Sequence, residues 1–194
     1  MKEFIEPANI LMIDIETKDT KVTAEIIEVA AVASTARSVT AALHLFTHSS
    51  RAVKTGYTAS PETLKFHIES NTRVLENQLR ASILGTTISP CTLIAELNTL
   101  TTWLPHDTII YCFGLSFDIP ILNYTAATEK TELFLPSYRN LRCLRTELAT
   151  AKSLGFIQAD KPTLHNATDD CANQLGLLFS IFDFYKGLTN GTNN

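Results

Sequence analysis

The fold is decided by residues 10–17, which read Ile10-Leu11-Met12-Ile13-Asp14-Ile15-Glu16-Thr17. An almost unbroken apolar run of this kind is typical of a central strand that is buried on both faces of a sheet. Side chains two residues apart on a strand share a face, so Asp14 and Glu16 project together. The segment therefore predicts a buried strand that ends in a pair of carboxylates.

Two more strand-like segments follow this one, at residues 25–33 (EIIEVAAVA) and 39–46 (VTAALHLF). Short polar stretches separate the three segments and supply the turns between them. Because the connections are short, we expect neighbouring strands to run antiparallel.

The rest of the chain alternates between predicted helices and strands. Ser60-Pro61 and Ser89-Pro90 each offer a helix N-cap followed by proline at the first helical position. Further strands are predicted at residues 108–113 and 141–144, and further helices at 119–127, 146–152 and 167–185. This order predicts an α/β domain with a mixed sheet of three antiparallel strands followed by two parallel ones, flanked by helices.

Length and composition fit one globular domain. The chain has 194 residues, of which 45% are hydrophobic and 19% charged, with a formal net charge of −4. This balance excludes disorder of the whole chain and a basic surface that binds any polyanion. We expect a single domain at residues 1–187 and a flexible C-terminal tail at residues 188–194, which is rich in Gly and Asn.

The cysteines and the first residues predict a cytoplasmic location. The four cysteines are widely spaced, without a C-x-x-C pair, and are interpreted as buried thiols in a reducing compartment. Glu3, Glu6 and Pro7 occupy positions where a signal peptide needs an apolar core. No apolar run is long enough for a membrane span, so no membrane association is expected.

The acids that end the first strand are the first candidate for chemistry. Asp14 and Glu16 side by side repel each other, an arrangement that is costly unless a cation lies between them. The alternative is a strand that runs out into solvent, where acids are common.

A second candidate, Asp118, follows the fourth predicted strand in the sequence Phe113-Gly114-Leu115-Ser116-Phe117-Asp118. Open α/β sheets bind their ligands at the carboxyl ends of strands, which favours a functional role. The alternative is that Asp118 caps the following helix.

The third candidate segment, His165-Asn166-Ala167-Thr168-Asp169-Asp170, opens the last predicted helix. Asn166 is a suitable N-cap, and Asp169 would lie in the first turn, where the helix dipole favours negative charge. Asp169 therefore has a structural explanation, whereas His165 and Asp170 have none. Because successive helical residues point about 100° apart, only one of Asp169 and Asp170 can face Asp14 and Glu16.

Together and in this order, D-x-E on the first strand, F-D after a later strand and H-x4-D near the chain's end resemble the DEDDh branch of the DEDD 3′→5′ exonuclease superfamily. That branch has a ribonuclease H-like fold, and the resemblance runs from Ile10 to Tyr185. The segments DIET, GLSFD, RCLRT and HNATDD are most similar to phage and bacterial exonucleases and exoribonucleases of the mycobacterial and T4-like group.

This resemblance implies roles for particular residues. The four metal-binding carboxylates would be Asp14, Glu16, Asp118 and Asp170, and His165 would be the general base. The implied cofactors are two divalent metal ions, Mg²⁺ or Mn²⁺. Candidate substrate contacts inside the matched motifs are Thr17, Ser116 and Asn166. Phe66 and His67 are further candidates for contacts with a single strand, with the alternative that they are core or solvated residues.

The implied activity is metal-dependent hydrolysis of single-stranded DNA or RNA from a free 3′ end, releasing nucleoside 5′-monophosphates. We expect the protein to act as a monomer or homodimer. One alternative is a non-catalytic module on the same fold that binds nucleic acid or a protein partner. Another is an oligomeric scaffold in which the apolar face of the last helix forms a subunit contact.

Overall fold

The computed structural model describes residues 4–48, 56–135, 137–159 and 167–190. The strands are β1 (Asn9–Thr17), β2 (Ile26–Thr35), β3 (Ser38–Phe46), β4 (Ile109–Cys112) and β5 (Leu141–Cys143). The α-helices are α1 (Pro61–Ser70), α2 (Thr72–Ile83), α3 (Pro90–Thr102), α4 (Leu115–Thr128), α5 (Leu144–Ser153) and α6 (Ala167–Asn190). A short 3₁₀ helix, Tyr138–Asn140, precedes β5.

The five strands form one mixed sheet in the order β3-β2-β1-β4-β5. β1 lies at its centre, antiparallel to β2 and parallel to β4. β2 and β3 are antiparallel, and β4 and β5 are parallel. The prediction of three antiparallel strands followed by two parallel ones is confirmed.

Helices cover both faces of the sheet, which explains the continuous apolar run of β1. Leu11 and Ile13 pack on one face in a cluster with apolar residues of α3 and α4. Ile10 and Met12 pack on the opposite face with apolar residues of α5 and α6. Since both faces of the strand are buried, its sequence shows no polar alternation until Asp14.

Two helices begin where the sequence predicts. The Ser60 hydroxyl accepts a hydrogen bond from the Thr63 N–H at 3.0 Å, and the Ser89 hydroxyl accepts one from the Thr92 N–H at 3.1 Å. In both helices a proline occupies the first turn. These starts depend on contacts three residues apart, so they can be read from local sequence.

Other boundaries differ from the prediction. Asn71 separates α1 from α2, a break that the sequence analysis does not contain. The last helix continues to Asn190, five residues beyond the predicted end at Tyr185. Within this extension, the Lys186 ammonium donates to the Glu6 carboxylate at 2.6 Å.

The cysteines are less uniformly buried than the sequence predicts. Cys112 and Cys171 are buried, Cys143 is partly exposed and Cys91 is exposed, and all four are free thiols. Cys91 is exposed because it lies in the first turn of α3 on the side away from the sheet. None of the helices in the described ranges combines the length and apolar character needed to cross a bilayer.

Candidate functional site

Three carboxylates meet beside the end of β1. Oxygens of Asp14, Glu16 and Asp170 all lie within 4.8 Å of one another, and the three side chains are partly buried. Asp170 reaches the strand because α6 packs against the sheet, where the Cys171 thiol lies 3.7 Å from the Met12 carbonyl and 3.4 Å from that of Ala30. We call these three residues the carboxylate cluster.

The electrostatics of the carboxylate cluster favour a bound cation. Burial, followed by repulsion from Asp118, raises the pKa of Asp14 well above its ordinary value. Burial, followed by repulsion from Glu28 and Asp170, raises the pKa of Glu16 to about 8. A positive ion among these oxygens would relieve both effects. The alternative of a strand running out into solvent does not fit these partly buried side chains.

A further acid lies against the cluster on the neighbouring strand. Glu28 on β2 is paired in register with Glu16 on β1, so the two side chains share a face. The Glu28 side chain is fully buried, and one of its carboxylate oxygens lies 2.6 Å from Nε2 of His44. Repulsion from Glu28 is, after burial, the largest cause of the raised pKa of Glu16.

Asp118 lies near the cluster without being part of it. Its side chain is only 4% exposed, in the first turn of α4. The N-cap of α4 is Gly114, so the alternative that Asp118 caps this helix is wrong. Burial raises the pKa of Asp118 to about 7, although backbone N–H groups and the Arg145 cation oppose the shift.

The four predicted metal ligands all line one cavity of ≈ 540 Å³. Its apolar wall comprises Phe113, Phe117, Phe156 and Leu177. Arg145 supplies a positive charge to the lining. The cavity thus combines an acidic side, an apolar side and one cation.

Two amide side chains that the sequence analysis missed hold the acids in place. Gln174 donates from Nε2 to Oδ1 of Asp14 at 2.8 Å. A hydrogen bond from the Asn71 side chain opposes the rise in the pKa of Glu16. Gln174 follows Asp170 by four residues and so lies on the same helix face, a spacing that could have identified it. Asn71 has no comparable signal in the sequence.

The predicted substrate contacts that the structure describes do not line this cavity. Thr17 is buried, and its hydroxyl donates to the Asp19 carbonyl at 2.7 Å. His67 is 2% exposed, and its Nε2 lies 2.8 Å from the Thr17 carbonyl. We therefore correct the expectation for His67, which supports the end of β1 from the inside. Phe66, 45% exposed, and Ser116 lie on the surface outside the cavity lining.

The last candidate segment is only partly visible. His165 and Asn166 lie outside the described residues, so their positions remain predictions. Of the two neighbouring acids, Asp170 lies in the carboxylate cluster, whereas Asp169 forms an ion pair with Arg73 at 3.7 Å. The structure therefore places Asp170, and not Asp169, beside Asp14 and Glu16.

Comparison with known proteins gives a family match and several similar structures. Residues 9–182 match the family described as the 3′-5′ exoribonuclease Rv2179c-like domain. A product-bound exonuclease I structure shares 13% identity at a TM-score of 0.64, covering 92% of this chain and 46% of the other. A complex of E. coli ExoI with ssDNA and zinc shares 14% identity at a TM-score of 0.66, covering 92% of this chain and 43% of the other.

The cell-death related nuclease CRN-4 is also similar in structure, with 14% identity, a TM-score of 0.63, and coverage of 91% of this chain and 64% of the other. This chain thus spans less than two thirds of each of these structures. At these identities the likeness concerns the fold, an exonuclease-like ribonuclease H fold. No curated protein matches the sequence.

Proposed function

Because the chain belongs to the 3′-5′ exoribonuclease Rv2179c-like domain family, we propose that it is a DEDDh-type 3′-5′ exonuclease. Its substrate would be single-stranded DNA or RNA with a free 3′ end, and its products would be nucleoside 5′-monophosphates. The ExoI complexes with ssDNA and with an oligonucleotide support a single-stranded substrate. The free thiols of all four cysteines support action in a reducing compartment such as the cytoplasm.

The observation that carries this proposal is the carboxylate cluster in the cavity wall. Its donor set suits hard divalent ions such as Mg²⁺ or Mn²⁺, which prefer oxygen ligands. The raised pKa values of Asp14 and Glu16 are expected of carboxylates that lie close together in a metal-binding site without its metal.

The metal-holding residues would be Asp14, Glu16 and Asp170, with Asp118 serving a second ion. When bound, two divalent ions would supply positive charge to the scissile phosphate and to the leaving 3′ oxygen. Gln174 fixes the orientation of the Asp14 carboxylate by its 2.8 Å hydrogen bond. Hydrogen bonds of this kind, which orient metal-binding side chains, raise the affinity of the site for its metal.

Proton transfer would fall to His165. It follows β5 and α5 in the chain and precedes Asp170 by five residues. An imidazole that is neutral near pH 7 can accept the proton of the attacking water.

The apolar wall of the cavity would pack against the terminal base. The volume of the cavity suits one nucleotide, since small-molecule pockets span roughly 300–1,000 Å³.

The test is incubation of 5′-labelled single-stranded DNA and RNA of equal sequence with the protein and Mg²⁺ or Mn²⁺. We expect a ladder that shortens from the 3′ end, no product in EDTA and no product from the Asp14→Asn variant. Covalently closed single-stranded circles should stay intact, because they lack a 3′ end. Cutting of the circles, or equal cutting by Asp14→Asn, would refute the proposal.

A further inference from the structure

Arg145 is the only Lys, Arg or His among the cavity-lining residues that the structure describes. It shares the cavity with four carboxylates, those of Asp14, Glu16, Asp118 and Asp170. Arg145 lies in the first turn of α5, directly after β5, and its side chain is exposed. A single fixed cation among these acids requires an explanation.

The guanidinium of Arg145 is held over the cavity by stacking. Its central carbon lies 5.1 Å from the centre of the Phe113 ring. Its Nη2 lies 3.6 Å from the point where a Cβ on Gly114 would be, and Oδ2 of Asp118 lies 3.9 Å from the same point. Nη2 of Arg145 and Oδ2 of Asp118 thus both lie within van der Waals distance of the same point beside Gly114.

The acids of the cavity do not neutralise this cation by direct pairing. Within the described ranges no carboxylate lies within 4.0 Å of the Arg145 guanidinium, whereas Arg37 and Lys186 pair closely with acids elsewhere. Stacking on an aromatic ring fixes the plane of a guanidinium and leaves the N–H groups at its edge available. Those N–H groups match the oxygens of a phosphate, to which they can donate two parallel hydrogen bonds.

We propose that Arg145 binds a phosphate group of the nucleotide held in this cavity. The inference rests on the proposed function, because it takes the ligand to be a nucleotide. A guanidinium at the rim of the cavity would add to the attraction that metal ions held by the carboxylates exert on a phosphate. Arg145 would thereby select a phosphorylated ligand over the corresponding nucleoside.

The experiment compares binding of a nucleoside 5′-monophosphate with binding of the same nucleoside by calorimetry. Ca²⁺ is present so that the carboxylate cluster holds a cation, and neither ligand can be hydrolysed by a phosphodiesterase. The variants are Arg145→Gln, Arg145→Lys and Lys152→Gln. Lys152→Gln is the control, because it removes one positive charge from the same helix. Lys152 lies in the last turn of α5 and does not line the cavity.

We expect the preference for the monophosphate to fall about tenfold or more in Arg145→Gln, because hydrogen bonds to charged groups have that strength. The preference should stay within about twofold of wild type in Lys152→Gln and be partly restored in Arg145→Lys. If Arg145 served only to stack on Phe113, Arg145→Gln would weaken the binding of both ligands equally. The ratio of the two affinities would then stay unchanged.

An unchanged ratio in Arg145→Gln, or an equal fall in Lys152→Gln, would overturn the inference. The binding ratio does not depend on hydrolysis, so failure of the two proposals can be told apart. If wild type cuts single strands and Arg145→Gln keeps its preference, only the phosphate site is refuted. If no strand is cut but the preference depends on Arg145, only the nuclease proposal is refuted.

Discussion

Asp169 and Asp170 are neighbours in sequence with different surroundings, and this difference predicts different phenotypes. Asp170→Ala removes one of three clustered carboxylates and should abolish nearly all nuclease activity at saturating Mg²⁺. Asp169→Ala removes an exposed ion pair with Arg73 and should cost at most about 1 kcal/mol of stability while retaining turnover. Activity assays and thermal melts of both variants test this. Exchanged phenotypes would mean that the catalytic role belongs to Asp169.

Glu16 predicts a pH dependence of the metal-free protein. Its pKa rises from 4.5 to about 8 on folding, so between these values the folded state binds more protons than the unfolded state. Its stabilising contribution is therefore complete below pH 4.5 and is lost as the pH rises towards about 8. In EDTA, the melting temperature of wild type should fall more steeply over this range than that of Glu16→Gln.

The control for this pH profile is Glu96→Gln, since Glu96 is an exposed glutamate on α3. It should give the wild-type slope. Identical slopes for wild type and Glu16→Gln would show that burial does not perturb Glu16 in solution.

Individual site residues differ in how far the sequence predicts them. Asp14 and Glu16 can be found because two acids end an apolar strand, and their shared face follows from strand geometry alone. For Gln174, the four-residue spacing from Asp170 predicts a place on the same helix face, but its contact with Asp14 spans 160 positions and forms only because α6 packs on the sheet. Thr17 belongs to a recognisable motif, but it lies on the strand face opposite Glu16, which it shares with the buried Ile13 and Ile15.

At the scale of elements, α6 should be the helix most sensitive to truncation on its apolar face. Leu178 is fully buried in the cluster that includes Met12 and Ala30. Leu178→Ala should lower the free energy of unfolding by about 2–5 kcal/mol, because it leaves a cavity in the core. Leu79→Ala on α2 provides a matched control, since Leu79 is 62% exposed and its loss should cost no more than about 0.5 kcal/mol. Chemical denaturation measures both, and similar losses would mean that the α6 face is not the packed one.

The elements also show why some boundaries can be predicted and others cannot. The starts of α1 and α3 depend on serine hydroxyls that bond three residues ahead, so the signal is local. The last residues of α6 include Lys186, whose hydrogen-bond partner Glu6 lies at the other end of the chain. The break at Asn71 accompanies a contact from its side chain to Glu16 on another element. Contacts of the latter kind have no periodicity or spacing that a sequence pattern could reveal.

For the whole molecule, divalent metal should stabilise the folded state. The carboxylate cluster exists only when β1 and α6 are assembled, so the unfolded chain has no equivalent site. At a metal concentration of 100 times Kd, binding should add about 2.7 kcal/mol to the free energy of unfolding. Mn²⁺ should therefore raise the melting temperature of wild type and not that of Asp14→Asn. In EDTA, Asp14→Asn should melt no earlier than wild type, because it removes a repelling charge.

The central position of β1 has a consequence for the timescale on which the site can come apart. Amide hydrogens in a strand bonded on both edges become accessible to solvent only when the sheet itself opens, which requires nearly the full free energy of unfolding. β1 is paired with both neighbours at Ile10, Leu11 and Met12, and two of the three clustered carboxylates follow on the same strand, where it is paired with β2. Deuterium uptake at the doubly paired part of β1 should consequently be among the slowest in the protein. Added Mn²⁺ should slow the uptake by the same factor at Leu11 and at Met12, because both amides exchange through the same opening of the sheet.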